Sequence, residues 1–293
     1  MKIKQSVGSR IFDAINVIFM LFMMFICFYP FYHVVISSFS DSRYLVGDTG
    51  FMLLPKGFNL DAYKAVIRNP NIFTGYKTTL LVLVLGTLLN LILTSFGAFV
   101  VTRKNFKPGK VLMRLMIFTM YFSGGMIPAY ILISNYLHLN NTIFALILPG
   151  AISTYNLIIM KTNFASIPDS LEEAAKIDGA NDFTIFSRIV IPLSVPVIAV
   201  MVLFYGVHHW NSWFNAMLYI DDRTRYPLQL VLREILLLNE SSSMMVGATE
   251  DRYAIGEAIK GATIVVATVP ILFVYPFIQK YFVKGMMIGA VKG

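Results

Sequence analysis

Charge and cysteine are what this chain has least of. A single cysteine, Cys27, stands among 293 residues, which excludes an intrachain disulfide and any cysteine-built metal site. It sits inside an apolar run and reads as a small buried or lipid-facing residue. Charged residues make up 14% of the chain against 57% hydrophobic, whereas soluble domains carry about 25% charged residues; a soluble domain is excluded on that ground. Acidic residues are the scarcer sign, 16 against 24 basic. The basic ones gather at the ends of apolar runs rather than along one stripe, which points to a membrane and away from nucleic acid. The four histidines, His33, His138, His208 and His209, show no ligand spacing with carboxylates or the cysteine, so no metal is expected. Neither a G-x-x-x-x-G-K-[ST] phosphate loop nor an H-E-x-x-H or G-x-S-x-G motif is present. The chain is therefore not expected to hydrolyse ATP or to be an enzyme, nor to carry a cofactor of its own.

What is present is a set of long apolar windows. A spanning helix needs roughly 20 mostly apolar residues, and six windows qualify: 11–37, 78–101, 112–136, 142–160, 189–210 and 262–282. The first follows Lys2, Lys4 and Arg10 as a signal peptide would, but it is too long for an h-region and lacks a small-residue cleavage site, so it is expected to remain as a helix. Lys and Arg set the orientation. Arg103, Lys104, Lys107 and Lys110 follow the second window, Lys161, Lys176 and Arg188 the fourth, and Lys280, Lys284 and Lys292 the sixth, while 138–141 carries none. Both termini and the loop between windows four and five are thus expected in the cytoplasm. Gly124, Gly125, Pro128, Pro149, Gly150, Pro192, Pro196, Pro270 and Pro276 punctuate the windows. They read either as ordinary kinks and close packing or as hinges of a gate.

Between windows four and five lies a polar stretch with helix signals at both ends. Ser170 is placed to cap a helix with Glu173 three residues on completing a capping box. Ala174 and Ala175 favour helix and let a partner surface approach closely. Gly179 permits the left-handed turn that ends it, and Asn181 or Asp182 can cap the next helix. Ile177, Phe183 and Phe186 are expected to cover one side of the hairpin. The alternative is an amphipathic helix lying on the membrane.

The full pattern runs Glu173-Ala174-Ala175, three residues to Gly179, then nine to Ile189-Val190-Ile191-Pro192. It resembles the cytoplasmic coupling loop of membrane subunits of binding-protein-dependent ABC importers. With Asn59-Leu60-Asp61-Ala62-Tyr63, Phe122-Ser123-Gly124-Gly125-Met126-Ile127-Pro128, Trp210–Ala216 and the ending from Lys280, nearly the whole chain resembles the carbohydrate-type permeases related to the maltose-importer G subunit. Within them it is similar to a subgroup associated with oligosaccharides and polysaccharide fragments. The resemblance implies an all-α integral membrane protein of six transmembrane helices. It would form a single permease domain over 1–293, with a five-helix core at about 76–284 preceded by a helix at about 11–37, in a bacterial cytoplasmic membrane. It implies a homologous second permease subunit, a cytoplasmic ATPase dimer that uses ATP and magnesium, an extracytoplasmic solute-binding protein and an oligosaccharide cargo. Glu173, Ala174, Ala175, Ile177, Asp178, Gly179, Phe183, Ile189 and Pro192 would form the ATPase-coupling loop, and 285–293 would insert against the ATPase dimer.

For the cargo path, the candidates are polar and aromatic residues in or beside apolar windows: Tyr155, Asn156, Tyr205, His209, Trp210, Asn211 and Asn215. Aromatic faces suit the C–H surfaces of a sugar and amides its hydroxyls. Equally, Trp210 and Trp213 fit an interfacial aromatic belt, and Asn90 and Asn156 fit hydrogen bonding between helices. Ser242, Met244, Met245 and Gly247 in the second long external segment, 219–261, are candidates for contact with the solute-binding protein, or else belong to a plain connector. Non-sugar cargo, a channel and a secondary carrier are the alternatives; a carrier would be expected to show inverted repeats and ionisable residues within its spans.

Overall fold

The computed structural model describes residues 6–45, 51–244, 256–273 and 276. Among them every regular element is helical, with one isolated antiparallel bridge between Ser40 and Phe58. The chain divides into two compact units, Met1–Asn69 with Leu232–Val269 and Pro70–Val231 with Pro270–Gly293.

In the first unit, α1 (Val7–Ser38) runs for 32 residues, starting where the Ser6 hydroxyl accepts from the Ser9 N–H. Its apolar window is wholly unburied, as a helix apolar all round is when its solvent is lipid. After it the chain is tied down by aromatic contacts. Phe51 stacks on Tyr29 at 4.2 Å between centroids, and Phe39 on Tyr63 at 4.8 Å, while the Ser38 and Tyr63 hydroxyls lie 2.6 Å apart. Asn59 Oδ1 accepts from the Asp61 N–H at the start of α2 (Asp61–Arg68).

The second unit is organised around α3 (Pro70–Thr102), which begins eight residues before its apolar window. Its buried face reads Gly75, Thr79, Val82, Gly86, Asn90, Thr94 and Ala98, at steps of three or four residues. Leu80, Val84, Leu88, Ile92 and Phe96 are exposed. Small and polar inside with large and apolar outside inverts the soluble pattern. Between helices in lipid, close packing and interhelical hydrogen bonds hold the pair, since lipid tails are as apolar as leucine.

Of the six apolar windows, three hold single helices and three hold bent pairs, an outcome that the prolines and glycines left open. α1, α3 and α14 (Gly256–Phe273) are single helices long and apolar enough to cross a membrane. The other three windows are bent pairs. α4 (Gly109–Tyr121) meets α5 (Met126–Ile131, continued by a π turn to Tyr136) at 115°. α6 (Phe144–Ile147, with a 3₁₀ turn to Gly150) meets α7 (Thr154–Phe164) at 55°. The segment from Asp182 to Leu193 meets α11 (Val195–Trp210) at 81°. Each break falls on the glycines or prolines singled out above. Gly125 has φ +91°, a conformation L side chains rarely adopt. Pro196, lacking an N–H, cannot continue the helical ladder across Ser194.

At the end of the unit opposite the charged loops, Asn141 (φ +58°) fastens the turn after α5 to α12 (Phe214–Tyr219) and the loop behind it. Its N–H donates to the Tyr219 carbonyl at 2.8 Å, its Oδ1 accepts from the Asp221 and Asp222 N–H groups, and its own carbonyl accepts from Arg225. α13 (Leu228–Met244) follows, its first N–H donating to Thr79 Oγ1 at 2.8 Å.

Candidate functional site

The segment after α7 folds as a short helical hairpin: α8 (Asp169–Ile177), a turn, and α9 (Asp182–Ile185), which runs through a π turn (Phe186–Val190) into α10 (Ile191–Leu193). Gly179 sits at φ +80° in the turn, the left-handed geometry expected there. Asn181 caps α9, its Oδ1 accepting from the Thr184 N–H at 2.8 Å. The capping box is corrected. Pro168 holds the cap position of α8 with no side-chain bond, which places Ser170 inside the helix.

The expected cover of the hairpin is corrected too. Phe186 is buried, but Ile177 is 87% exposed and Phe183 65%. Glu173, Ala174, Asp178 and Pro192 are exposed, Ala175 and Ile189 half-buried. The hairpin therefore exposes apolar Ile177 and Phe183 on either side of its turn, with small Ala174 exposed one helical turn before Ile177.

Two ion pairs, neither read from the sequence, hold this hairpin to the end of α3. Arg103 Nη1 pairs with Glu172, both largely buried at 18% and 14% side-chain exposure. Lys104 Nζ lies 2.5 Å from Asp169 Oδ2 in an exposed pair. Lys104 holds the Asp169 carboxyl below the usual carboxylate range and is itself raised by it. Asp169 thus contributes at pH above the ordinary carboxylate pKa and loses that contribution as pH falls through its depressed one, a small effect for an exposed pair. The Arg103 guanidinium also lies 4.1 Å over the Phe99 ring. Phe186 packs edge-on to Phe99 at 5.1 Å and stacks on Phe96 at 4.7 Å. Both arms of the hairpin are thereby fixed to the last two turns of α3.

Deeper in the same unit lies a hydrogen-bonded set that serves the broken α6–α7 window. Asn90 Nδ2 donates to the Gly150 and Ala151 carbonyls, each at 2.7 Å, and Asn90 Oδ1 lies 2.6 Å from His209 Nε2. Because Oδ1 can only accept, the imidazole proton sits on Nε2. The Tyr205 hydroxyl accepts from the Ser153 N–H at 3.2 Å and shares a 2.7 Å bond with Thr94 Oγ1. The groups freed by the break are thus met by α3 and α11, as apolar surroundings require. A Cβ on Gly86 would lie 2.5 Å from His209 Nε2, so only glycine admits the ring.

Of the cargo-path candidates, Tyr205 and His209 lie in this buried set, and Asn156 is buried at the start of α7 with its N–H donating to Ser153 Oγ. Trp210 is buried at the end of a cavity of about 490 Å³ whose lining, among it Tyr76, Leu80, Leu203 and Gly206, is almost wholly apolar. Tyr155 and Asn211 are exposed and Asn215 half-buried. Ser242 and Met244 fall in the last turn of α13, and Met245, Gly247 and 285–293 lie outside the described residues.

Residues 91–288 match the family described as "Binding-protein-dependent transport system inner membrane component". The chain is 43% identical over 284 residues to Protein LplC of Bacillus subtilis, covering 97% of this chain and 96% of that one. It is also 43% identical over 290 residues to the polygalacturonan/rhamnogalacturonan transport system permease protein YtcP of the same organism, covering 97% and 99%. Among solved structures it resembles a chain of a bacterial ABC transporter involved in the import of the acidic polysaccharide alginate. The TM-score is 0.85 at 30% identity, over 96% of this chain and 100% of that one.

Proposed function

The chain belongs to the family of binding-protein-dependent transport system inner membrane components, and from that membership we propose that it forms half of the translocation path for an oligosaccharide. In this reading it pairs with a homologous second permease, takes cargo from an extracytoplasmic solute-binding protein and is driven by a cytoplasmic ATPase dimer that uses ATP and magnesium. The chain itself carries no cofactor and performs no hydrolysis. The observation that carries the reading is the outward-facing hairpin of Ala174, Ile177, Gly179 and Phe183, fastened to α3 by Arg103 and Glu172. Such a surface is a socket. The ATPase dimer, closing on ATP, moves the hairpin and with it the spans, and can bias them only through contacts that differ between the two states.

The spans are six, three of them bent, with both termini and the hairpin in the cytoplasm; the clustering of Arg103, Lys104, Lys107, Lys110 and Lys161 supports that orientation. In a variant with Cys27 replaced by serine, a cysteine at position 107 is expected to resist a membrane-impermeant thiol reagent applied outside, and one at position 224 to react. The reverse pattern overturns the topology.

For the cargo, the names of the relatives favour a fragment of an acidic, uronic-acid polysaccharide. Tyr155, Asn211 and Asn215, exposed or half-buried, are the path candidates in reach of a sugar. Tyr205, His209 and Asn156 act behind them. In proteoliposomes, binding protein loaded with an oligogalacturonide or alginate oligomer is expected to stimulate ATP hydrolysis, and a neutral maltooligosaccharide is not. Gly179→Asp is expected to remove that stimulation at least tenfold with normal assembly. No atom lies within 4 Å of a Cβ there, so the fold loses only about 1–2 kcal/mol of left-handed backbone preference, while a carboxylate enters the socket surface. Wild-type stimulation in that variant overturns the coupling role.

A further inference from the structure

The charges at the cytoplasmic end of the second unit are not evenly compensated. Arg103 and Lys104 are matched by Glu172 and Asp169. A few residues on, Lys110 and Arg114 of α4 and Lys161 of α7 line one pocket of about 210 Å³ with Val101, Gly109 and Met113. None of these three cations makes an ion pair or side-chain hydrogen bond among the described residues. No acidic side chain lines the pocket.

The start of α4 adds to the same sign. Pro108 occupies the cap position without a side-chain bond, and the first turn holds no acidic residue, so no acidic side chain of the first turn offsets the positive end of the helix. Close packing shapes the floor: a Cβ on Gly109 would lie 3.2 Å from the Phe106 ring.

The apolar part of the pocket's lining is Val101 and Met113. Beyond Arg114, at steps of three and four along the same face of α4, Ile117 and Tyr121 are exposed, at 38% and 79%. A concentrated positive pocket thus opens at the head of an apolar track running along a spanning helix. A free anion would use the first feature and leave the second idle. A molecule with an anionic phosphate head and acyl chains uses both.

We propose that the Lys110–Arg114–Lys161 pocket binds the phosphate headgroup of an anionic membrane lipid from the cytoplasmic leaflet, its chains lying against Ile117 and Tyr121. This rests on the cytoplasmic orientation given above, which thiol labelling at position 107 reports on separately.

The test is native mass spectrometry of the assembled importer titrated with phosphatidylglycerol, cardiolipin or phosphatidylcholine, with inorganic phosphate as competitor. The wild type is expected to retain an anionic lipid and to release phosphatidylcholine. Lys161→Gln should weaken anionic-lipid binding about fivefold and Lys110→Gln/Arg114→Gln/Lys161→Gln roughly a hundredfold, at the scale of one surface cation per step. Lys107→Gln, outside the pocket, should shift it less than Lys161→Gln does. Equal retention by Lys161→Gln and the wild type overturns the proposal. Displacement of the lipid by millimolar inorganic phosphate overturns it in favour of a free-anion site. A photoreactive group carried at position 114 is expected to label lipid; labelling of a neighbouring protein chain instead assigns the pocket to that chain.

Discussion

Reversing one charge, Arg103→Glu, is expected to abolish uptake while leaving the chain in the membrane, and Arg103→Glu/Glu172→Arg is expected to restore it. The reason lies in where the pair sits. Both side chains are largely withdrawn from solvent, and removing one partner of a buried pair costs about 3–5 kcal/mol because the other charge is left unmatched. That energy falls on the joint between the hairpin and α3. Under the proposed coupling role, a displacement of α8 would reach Arg103 through Glu172, and Phe186 through the Phe99 ring beneath the guanidinium. With the pair broken, α8 is expected to shift without carrying α3, and in the proposed importer ATP would be consumed without transport. The measurement is the ratio of uptake to ATP hydrolysis in proteoliposomes. A drop of tenfold or more is expected for Arg103→Glu, and recovery to within severalfold for the exchanged pair. Lys104→Ala is the contrast. Its partner Asp169 is exposed, and surface pairs contribute about 0–1 kcal/mol, so the ratio should fall by less than twofold. If Arg103→Glu transports as the wild type does, the joint is not what transmits force.

The hairpin's existence was legible because its signals are local. Gly179 and Asn181 each do their work within three or four residues, and the positive φ and the cap are both where the sequence placed them. The joint was not legible. Arg103 and Glu172 are 69 positions apart, and a basic pair after one span with an acidic turn before another is what any cytoplasmic loop offers. The start of α8 misled for a different reason. Ser-x-x-Glu is a sound capping signal, but Pro168, its φ fixed by the ring and its backbone extended, takes the cap position two residues ahead of Ser170, and the helix starts at Asp169. Exposed Ile177 and Phe183 show the same limit: apolar residues in a helical hairpin read as self-cover unless a partner is counted among the surroundings.

The apolar helices were legible from hydropathy; the continuity of three of the windows was not. The 115° turn at Gly124–Gly125 and the 81° turn at Ser194 fall at glycine and proline, yet the same residues occur in straight membrane helices whose neighbours repair the ladder. Whether a break opens depends on what stands opposite, and that is a property of α3. Asn90, readable from sequence only as a polar residue between helices, is the group that makes the α6–α7 break tenable.

Substituting that group gives the second large effect. Asn90→Leu is expected to destabilise the purified importer severely. It strips partners from the Gly150 and Ala151 carbonyls and from His209 Nε2 in one step. Each buried unsatisfied group costs about 1–3 kcal/mol, although single interhelical bonds in membranes average nearer 0.6 kcal/mol because the unfolded reference also finds partners. Three groups failing together place the loss at roughly 3 kcal/mol, read as a fall in thermal midpoint and in steady-state level. Gly86→Ala should approach the same loss by another route, because its methyl would occupy the space of the His209 ring and pull Nε2 from Asn90. His209→Ala separates the two causes. Alone it leaves Asn90 still holding both carbonyls and should cost less than Asn90→Leu; combined with Gly86→Ala it removes the clash and should regain part of the stability. Strong non-additivity between positions 86 and 209 is therefore expected. Additive losses there, or an Asn90→Leu importer as stable as the wild type, would mean that the bent fourth span stands without help from α3.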